Sequence, residues 1–204
     1  MIKTEKQFMT IKIRPYHPAD LYDYYQICLL TGASGKDASG SVEDELLGHC
    51  FVAPYCHYNP SLCFTLTVSG VPSGYIVGTS DSRAFAAWAE RDWWPPLREK
   101  YEDVDKVSLS HSSNALIADI HKGLDLPDFV NDYPAHLHID LLPIAQGGNG
   151  SRMMDVFMAA LKKHGVPALH LELSPANDRA FHFYKRYGMH EISRGSSIYM
   201  GLTL

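Results

Sequence analysis

What the sequence is short of narrows the field first. Lysine and arginine number 18 against 23 acidic residues, a net charge of -5, and no basic block stands out. Electrostatics therefore offer no footing for nucleic acid or an anionic lipid surface. A mildly acidic surface suits a cationic or amine ligand and is equally an ordinary solubility charge. Every apolar run falls far short of a membrane span. The opening Met1-Ile2-Lys3-Thr4-Glu5-Lys6 lacks the apolar core of a signal peptide. The expectation is a soluble, cytoplasmic protein that engages neither membrane nor nucleic acid. Cysteine is sparse: Cys28, Cys50, Cys56 and Cys63 form no C-x-x-C pair. Cys56-His57 has no partner pair at zinc spacing, so buried free thiols and no metal site are expected. Free thiols agree with a reducing compartment. Internal repeats and linker-like breaks are absent as well, so residues 1–204 read as one domain. A chain of this length buries roughly two thirds of its unfolded surface without a disulfide or metal staple.

What is present alternates between strand and helix. Ile11-Lys12-Ile13-Arg14 reads as a strand stopped by Pro15, and His17-Pro18-Ala19-Asp20 opens a helix through about Leu30. A Gly/Ser-rich loop follows to Gly40, and Ser41-Val42-Glu43-Asp44 resembles a capping box for a helix to about His49. Leu62 to Val68 and Tyr75 to Thr79 form a hairpin across a turn from Ser69 to Gly74. Asp81 caps a helix that Trp93-Trp94-Pro95-Pro96 limits or kinks. Residues 101–134 read as a loop-rich insert, a substrate-side flap with a short helix near Asn114 to Ile120. Beyond it come a strand from His136 to Leu142, a helix from Ser151 to His164 and a strand from Ala168 to Leu173. A helix from Ala176 to Tyr187, ended by Gly188, and a last strand from Ser197 to Leu204 complete the chain. The mixture makes the fold α/β or α+β around one sheet.

Chemistry gathers where the strand to Leu142 runs through Gln146-Gly147-Gly148-Asn149-Gly150-Ser151 into a helix. Glycines let successive backbone N–H groups turn toward one point, and a helix N-terminus adds about half a positive charge there. Together they suit a pyrophosphate. The NTPase phosphate loop is excluded because no Lys-Ser/Thr follows. The dinucleotide pattern fails because Met153 stands at its third glycine. A plain tight turn remains the alternative for such a loop taken alone.

A second segment, Asn177-Asp178-Arg179-Ala180-Phe181-His182-Phe183-Tyr184-Lys185-Arg186-Tyr187-Gly188-Met189, resembles the GNAT acetyltransferase signature N-x-x-A-x-x-F-Y-x-x-x-G-F, with Met189 for the last Phe. The glycine loop resembles that family's Q/R-x-x-G-x-G/A, although Ala145 falls at the Q/R position and Gln146 follows it. Tyr75-Ile76-Val77-Gly78-Thr79, Trp93-Trp94-Pro95-Pro96-Leu97 and His138-Ile139-Asp140 look like the acetyltransferase-like domain of O-GlcNAcase and its free-standing bacterial relatives. The eukaryotic domain lacks a usable glycine loop, and the glycines kept here favour a working cofactor site.

The resemblance implies a GNAT-like fold: a mixed, mostly antiparallel central sheet, with a splayed parallel strand pair, flanked by helices. It implies acetyl-CoA as cofactor and direct transfer to a primary amine, of a small molecule or amino sugar, by a monomer or homodimer. Tyr184 then matches the general acid. Leu141 and Leu142 offer backbone groups, and Gln146, Gly147, Gly148, Asn149, Gly150, Ser151 and Asn177 line the cofactor. Asn177 can also simply cap its helix. Asp140, which shares a strand face with His136 and His138, is the candidate base or amine-binding group. A solvent-facing strand gives the same alternation. His170 and Glu172 form a similar face on the next strand, and Trp93 and Trp94 are candidates for lining an acceptor site or for packing. Two other functions stay open: a catalytically inactive binding module, and acetylation of proteins through an acidic groove of Asp103, Asp105, Asp125, Asp128 and Asp132.

Overall fold

The computed structural model describes residues 9–102 and 108–204. Met1 to Lys6, Asp103 and Asp105 lie outside them. Among the described residues, seven strands form one sheet in the order β1-β2-β3-β4-β5-β7-β6. They are Ile11–Pro15 (β1), Phe64–Val68 (β2), Val71–Thr79 (β3), Ala135–Leu141 (β4), Ala168–Leu173 (β5), His190–Arg194 (β6) and Ile198–Thr203 (β7). Only β4 and β5 run parallel; every other neighbour pair is antiparallel. The parallel pair is brief. Ala135 faces Leu169 and His136 faces His170, and then the two strands part. The α/β sheet with a splayed parallel pair is thus the architecture found.

The period-two pattern of β4 decides what each side of the sheet meets. Leu137 joins a core that the helix Asn149–Lys163 (α7) fills with Met153, Met154, Phe157 and Leu161, and Ile139 and Leu141 pack at its margin. The opposite face carries His136, His138 and Asp140 toward an aromatic layer containing Tyr24, Tyr55, Tyr75 and Phe85. That layer rests on the helices Leu21–Thr31 (α1), Leu46–Phe51 (α2), Ala53–Tyr58 (α3) and Ser82–Trp88 (α4). At the sheet edge Asp20 is buried and clamped by both terminal nitrogens of the Arg14 guanidinium, at 2.6 and 2.7 Å, and by the Thr65 hydroxyl at 2.8 Å. The clamp satisfies a charge that burial alone would penalise.

Several boundaries differ from the sequence expectation, each for a local reason. The hairpin turn is only Ser69-Gly70, both at positive φ, so β3 starts at Val71 instead of Tyr75. No capping box forms at Ser41. The helix begins at Leu46, and the Glu43 amide donates instead to Ser113 Oγ at 3.0 Å while Ser110 Oγ donates to Ser41 O at 2.6 Å. The Trp-Pro segment is entered through a π-helical turn, Ala89–Trp93, before the helix Trp94–Lys100 (α5). Within the expected loop-rich insert, His111–Lys122 is a full helix (α6) that packs Ile117 and Ile120 on Trp94 and Leu97. Asp178–Tyr187 (α8) ends at Gly188, φ 106°, as its glycine suggests. Among the described residues no helix is long and apolar enough to cross a membrane.

Gly78 shows how tightly β3, β4 and α7 meet. A Cβ there would stand 2.4 Å from His136 O and 2.5 Å from the Phe157 ring. Gly78→Ala is expected to destabilise the fold by about 1–3 kcal/mol, the usual range for overpacking. Urea unfolding checks this, and an unchanged midpoint would contradict the packing described.

Candidate active site

Two clefts open where β4 leaves β5. The first, about 420 Å³, is bounded by Ile139, Asp140 and Leu141, the glycine loop and one face of α8. The second, about 670 Å³, takes up the preceding residues of β4, His136 to His138, with His170 and Glu172 of β5 and Leu124 to Pro127 beyond α6. Along β4 the lining thus passes from the second cleft to the first between His138 and Ile139.

In the first cleft the backbone supplies the chemistry. Leu142 N donates to Ser73 O at 2.9 Å, so Leu142 still pairs with β3. Antiparallel alternation then turns the N–H and C=O of Leu141 and Ile139 away from β3, toward the gap left by β5. Gln146 Nε2 occupies one of these groups, donating to Leu141 O at 3.3 Å. The chain next makes a short 3-10 turn, Pro143–Ala145, and crosses Gly147 and Gly148 at φ 81° and 90° into α7. Left-handed geometry at both positions explains why glycine stands there. No side chain caps α7 at Gly148, so its first-turn amides keep their donor capacity beside the cleft.

The side chains brace this loop. Asn149 is buried, donates from Nδ2 to Ala145 O at 3.0 Å and to Gln146 O at 3.1 Å, and accepts from Arg152 at 2.7 Å. Gln146 Oε1 accepts from Arg179 at 2.5 Å, which ties the loop to α8. Ala145, at the signature's Q/R position, is wholly buried, and Gln146 takes the cleft-facing place.

Most expected residues converge here: Asp140, Leu141, Gln146, Gly147, Gly148, Gly150, Ser151, Asn177 and Tyr184 all line the cleft. Two do not. Leu142 points its backbone at β3 and packs its side chain toward the aromatic layer, while Asn149 is turned inward as a strut. Asn177 accepts from Ala180 N at 3.1 Å as the cap of α8, and it also lines the cleft. Sequence reading overlooked Arg179 and Arg186, which also line it. With Phe183 they recur at one- and two-turn spacing on α8, a legible stripe hidden inside a motif read for its other residues. Trp94 is buried and lines the second cleft, whereas Trp93 donates to His49 O at 3.0 Å and packs on Trp88 and His57. Of the insert's acids, Asp119 and Asp125 border the second cleft, Asp125 paired with Lys122.

Burial sets the protonation states. Desolvation raises Asp140 to about 6 against the opposing hydrogen bond from Tyr75 Oη at 2.6 Å. Tyr184 is buried, and desolvation, aided by the charge of Asp140, holds its hydroxyl protonated well above the ordinary phenol range. Desolvation lowers His138 to about 4, with His170 contributing, and likewise holds His136 well below the ordinary imidazole value, so both imidazoles are neutral near pH 7.

No protein-family model matches the chain. Its three-dimensional structure is similar to that of SsHAT, with 36% identity, a TM-score of 0.87, and coverage of 95% of this chain and 98% of that one. The fold is also shared with the ribosomal-protein-S18-alanine N-acetyltransferase from Escherichia coli, at 18% identity, a TM-score of 0.54, and coverage of 95% and 94%. A third match is yncA from Salmonella typhimurium, solved with its cofactor acetyl-CoA, at 13% identity, a TM-score of 0.55, and coverage of 95% and 94%.

Removing the Tyr75 hydroxyl tests the electrostatics. Tyr75→Phe should move the Asp140 midpoint above about 6, as read from its carboxyl carbon in an NMR titration. A midpoint that stays or falls would contradict the assigned role of Tyr75. Because the native carboxyl titrates above its ordinary 3.8, the native state binds the proton more tightly than the unfolded chain does. Asp140 therefore makes stability fall as pH rises from about 4 to about 6, and Asp140→Asn should flatten that slope.

Proposed function

This chain belongs to the GNAT superfamily of acetyltransferases, in the same family as SsHAT, and on that premise we propose that it is an active N-acetyltransferase moving the acetyl group of acetyl-CoA to a primary amine by direct attack in a ternary complex. One observation carries the reading. β4 and β5 stay paired for only two residues, and the backbone thus freed at Ile139 and Leu141 lies opposite the uncapped start of α7.

The residues present fit acetyl-CoA. Amides of Gly147, Gly148, Gly150 and Ser151, which line the cleft, would hold its diphosphate, with Arg179 and Arg186 as cationic support. Gly150 is a cradle: a Cβ there would meet the Phe183 ring at 3.1 Å and narrow the space between α7 and α8. Free groups of Ile139 and Leu141, with the Asn177 side chain, suit the amide-bearing pantetheine arm. Bound there, acetyl-CoA supplies an activated thioester. The Leu141 N–H would polarise its carbonyl, since a fixed backbone donor needs no reorganisation. Tyr184 keeps a proton on its hydroxyl for the leaving sulfur. Asp140, poised near 6, draws the amine and accepts its proton directly or through water. The acceptor enters from the second cleft, whose β4 lining ends at His138, one residue before the lining of the first begins.

Calorimetry with acetyl-CoA is the direct test. Saturable binding is expected, and no heat at millimolar cofactor would end the enzyme reading. Tyr184→Phe should lower kcat by roughly 100-fold, the ordinary scale for losing a general acid, with little change in acetyl-CoA Kd. Unchanged turnover would remove Tyr184 from that role. Gly148→Val forces a β-branched residue to φ 90°, a strain of about 1–3 kcal/mol, and should weaken acetyl-CoA binding by roughly tenfold or more while the far-UV spectrum is kept. Retained affinity would place the anion site elsewhere.

A further inference from the structure

The floor of the larger cleft is the polar face of β4 and β5, and the direction of its hydrogen bonds follows from which groups are able to donate. Ser82 Oγ lies 2.7 Å from Pro134 O. A carbonyl only accepts, so the single hydroxyl proton of Ser82 points there. Ser82 Oγ must then accept from His136 Nδ1–H, 2.6 Å away. His136 is neutral, because burial drives its pKa well below the ordinary value, and so its Nε2 carries a lone pair. The Tyr55 hydroxyl donates to that lone pair at 2.8 Å. With its proton committed, Tyr55 Oη accepts from His138 Nε2–H at 3.1 Å. The chain ends with a neutral His138 whose Nδ1 is bare.

His170 reaches the same condition by a shorter route. Its Nδ1–H donates to Tyr133 O at 2.7 Å, which leaves Nε2 bare. Among the described residues neither His138 Nδ1 nor His170 Nε2 has a hydrogen-bond partner, and neither is a sealed polar atom. Both side chains line the cavity and feel each other electrostatically. Around them the cations are already engaged: Lys122 with Asp125 and Arg194 with Glu191, while Glu172 adds a carboxylate to the lining.

We propose that His138 Nδ1 and His170 Nε2 form the acceptor-nitrogen site, two fixed lone pairs that receive two N–H groups of a primary amine and aim its remaining direction at the junction with the first cleft. This deepens the acetyl-transfer reading and rests on it. The pairing is selective by count: a primary amine offers two N–H donors, whereas a hydroxyl offers one. Tyr55, His136 and Ser82 are positioning residues, since they set the tautomer of His138 without reaching the acceptor. Asp140 lies on the cofactor side of the junction and keeps its separate role toward the proton.

The first test needs no turnover. Long-range nitrogen–proton correlation spectra of the imidazoles should show His138 as the Nε2–H tautomer and His170 as the Nδ1–H tautomer; Nδ1–H on His138 would overturn the proposal. Tyr55→Phe keeps the ring stacked on Phe85 and should release His138 into a mixture of tautomers, so an unchanged spectrum counts against the relay. Methylammonium should then perturb both bare nitrogens, and tetramethylammonium, equal in charge but lacking N–H, should not. Equal responses, or none at tens of millimolar, refute the site. His138→Gln should weaken methylammonium binding by about fivefold, the scale of one hydrogen bond, and leave acetyl-CoA affinity unchanged; unaltered methylammonium binding would remove His138 from the site. Calorimetry separates the two levels. Acetyl-CoA binding without an imidazole response sinks this inference alone, and an imidazole response without acetyl-CoA binding sinks the transferase reading alone.

Discussion

The parting of β4 from β5 is the constraint on which the site depends. A strand inside a sheet has its amides and carbonyls taken on both sides, and such backbone has no capacity for a ligand. Here β4 remains fully paired with β3 while its partner on the other side withdraws after His136. Beyond it, alternate residues of β4 turn their donors and acceptors into the gap in a rigid, pre-set orientation, with the Leu141 carbonyl taken by Gln146. The loss of ladder bonds is offset by packing, because Leu137, Leu169, Leu171 and the α7 methionines stay wholly or nearly buried beneath the opening. Backbone donors held this way are fixed before any ligand arrives, which is what electrostatic preorganisation requires.

The same strand sets two proton environments within a few residues. Asp140 and His138 share a face, both are desolvated, and burial moves their affinities in opposite directions because it penalises whichever form is charged. The carboxyl rises toward neutrality and the imidazole falls into it. Tyrosines complete both arrangements: Tyr75 donates to Asp140, and Tyr55 bridges His136 and His138. A polar face buried against an aromatic layer is thus satisfied internally, except at the nitrogens that look into the larger cleft.

Legibility followed the range of the interactions. The β4–loop–α7 unit and α8 were readable because period, glycine and cap lie within a dozen residues of one another. Gly147, Gly148 and Gly188 hold the positive φ angles that glycine predicts. Reading failed where partners are distant. Ser41 looked like a cap, yet its segment is closed by Ser110, the cap of α6, and by Ser113 within that helix. β6 went unseen because it is a mostly exposed edge strand with no apolar alternation. Asn149 looked like a ligand residue and is a strut, since nothing local tells whether a side chain at a helix start turns outward or back into its loop.

By itself the sequence determined most of the elements, their order and the residues that gather at the strand-to-helix turn, because hydrophobic period, proline and glycine act on their immediate neighbours. Tertiary structure alone decided that β4 and β5 separate after two residues, that Leu142 is spoken for by Ser73, and that Arg179 reaches Gln146 across the cleft. It also placed Tyr55, from a helix 81 residues earlier, between two histidines of β4. These are contacts between segments far apart in the chain, fixed by how helices seat on a twisted sheet.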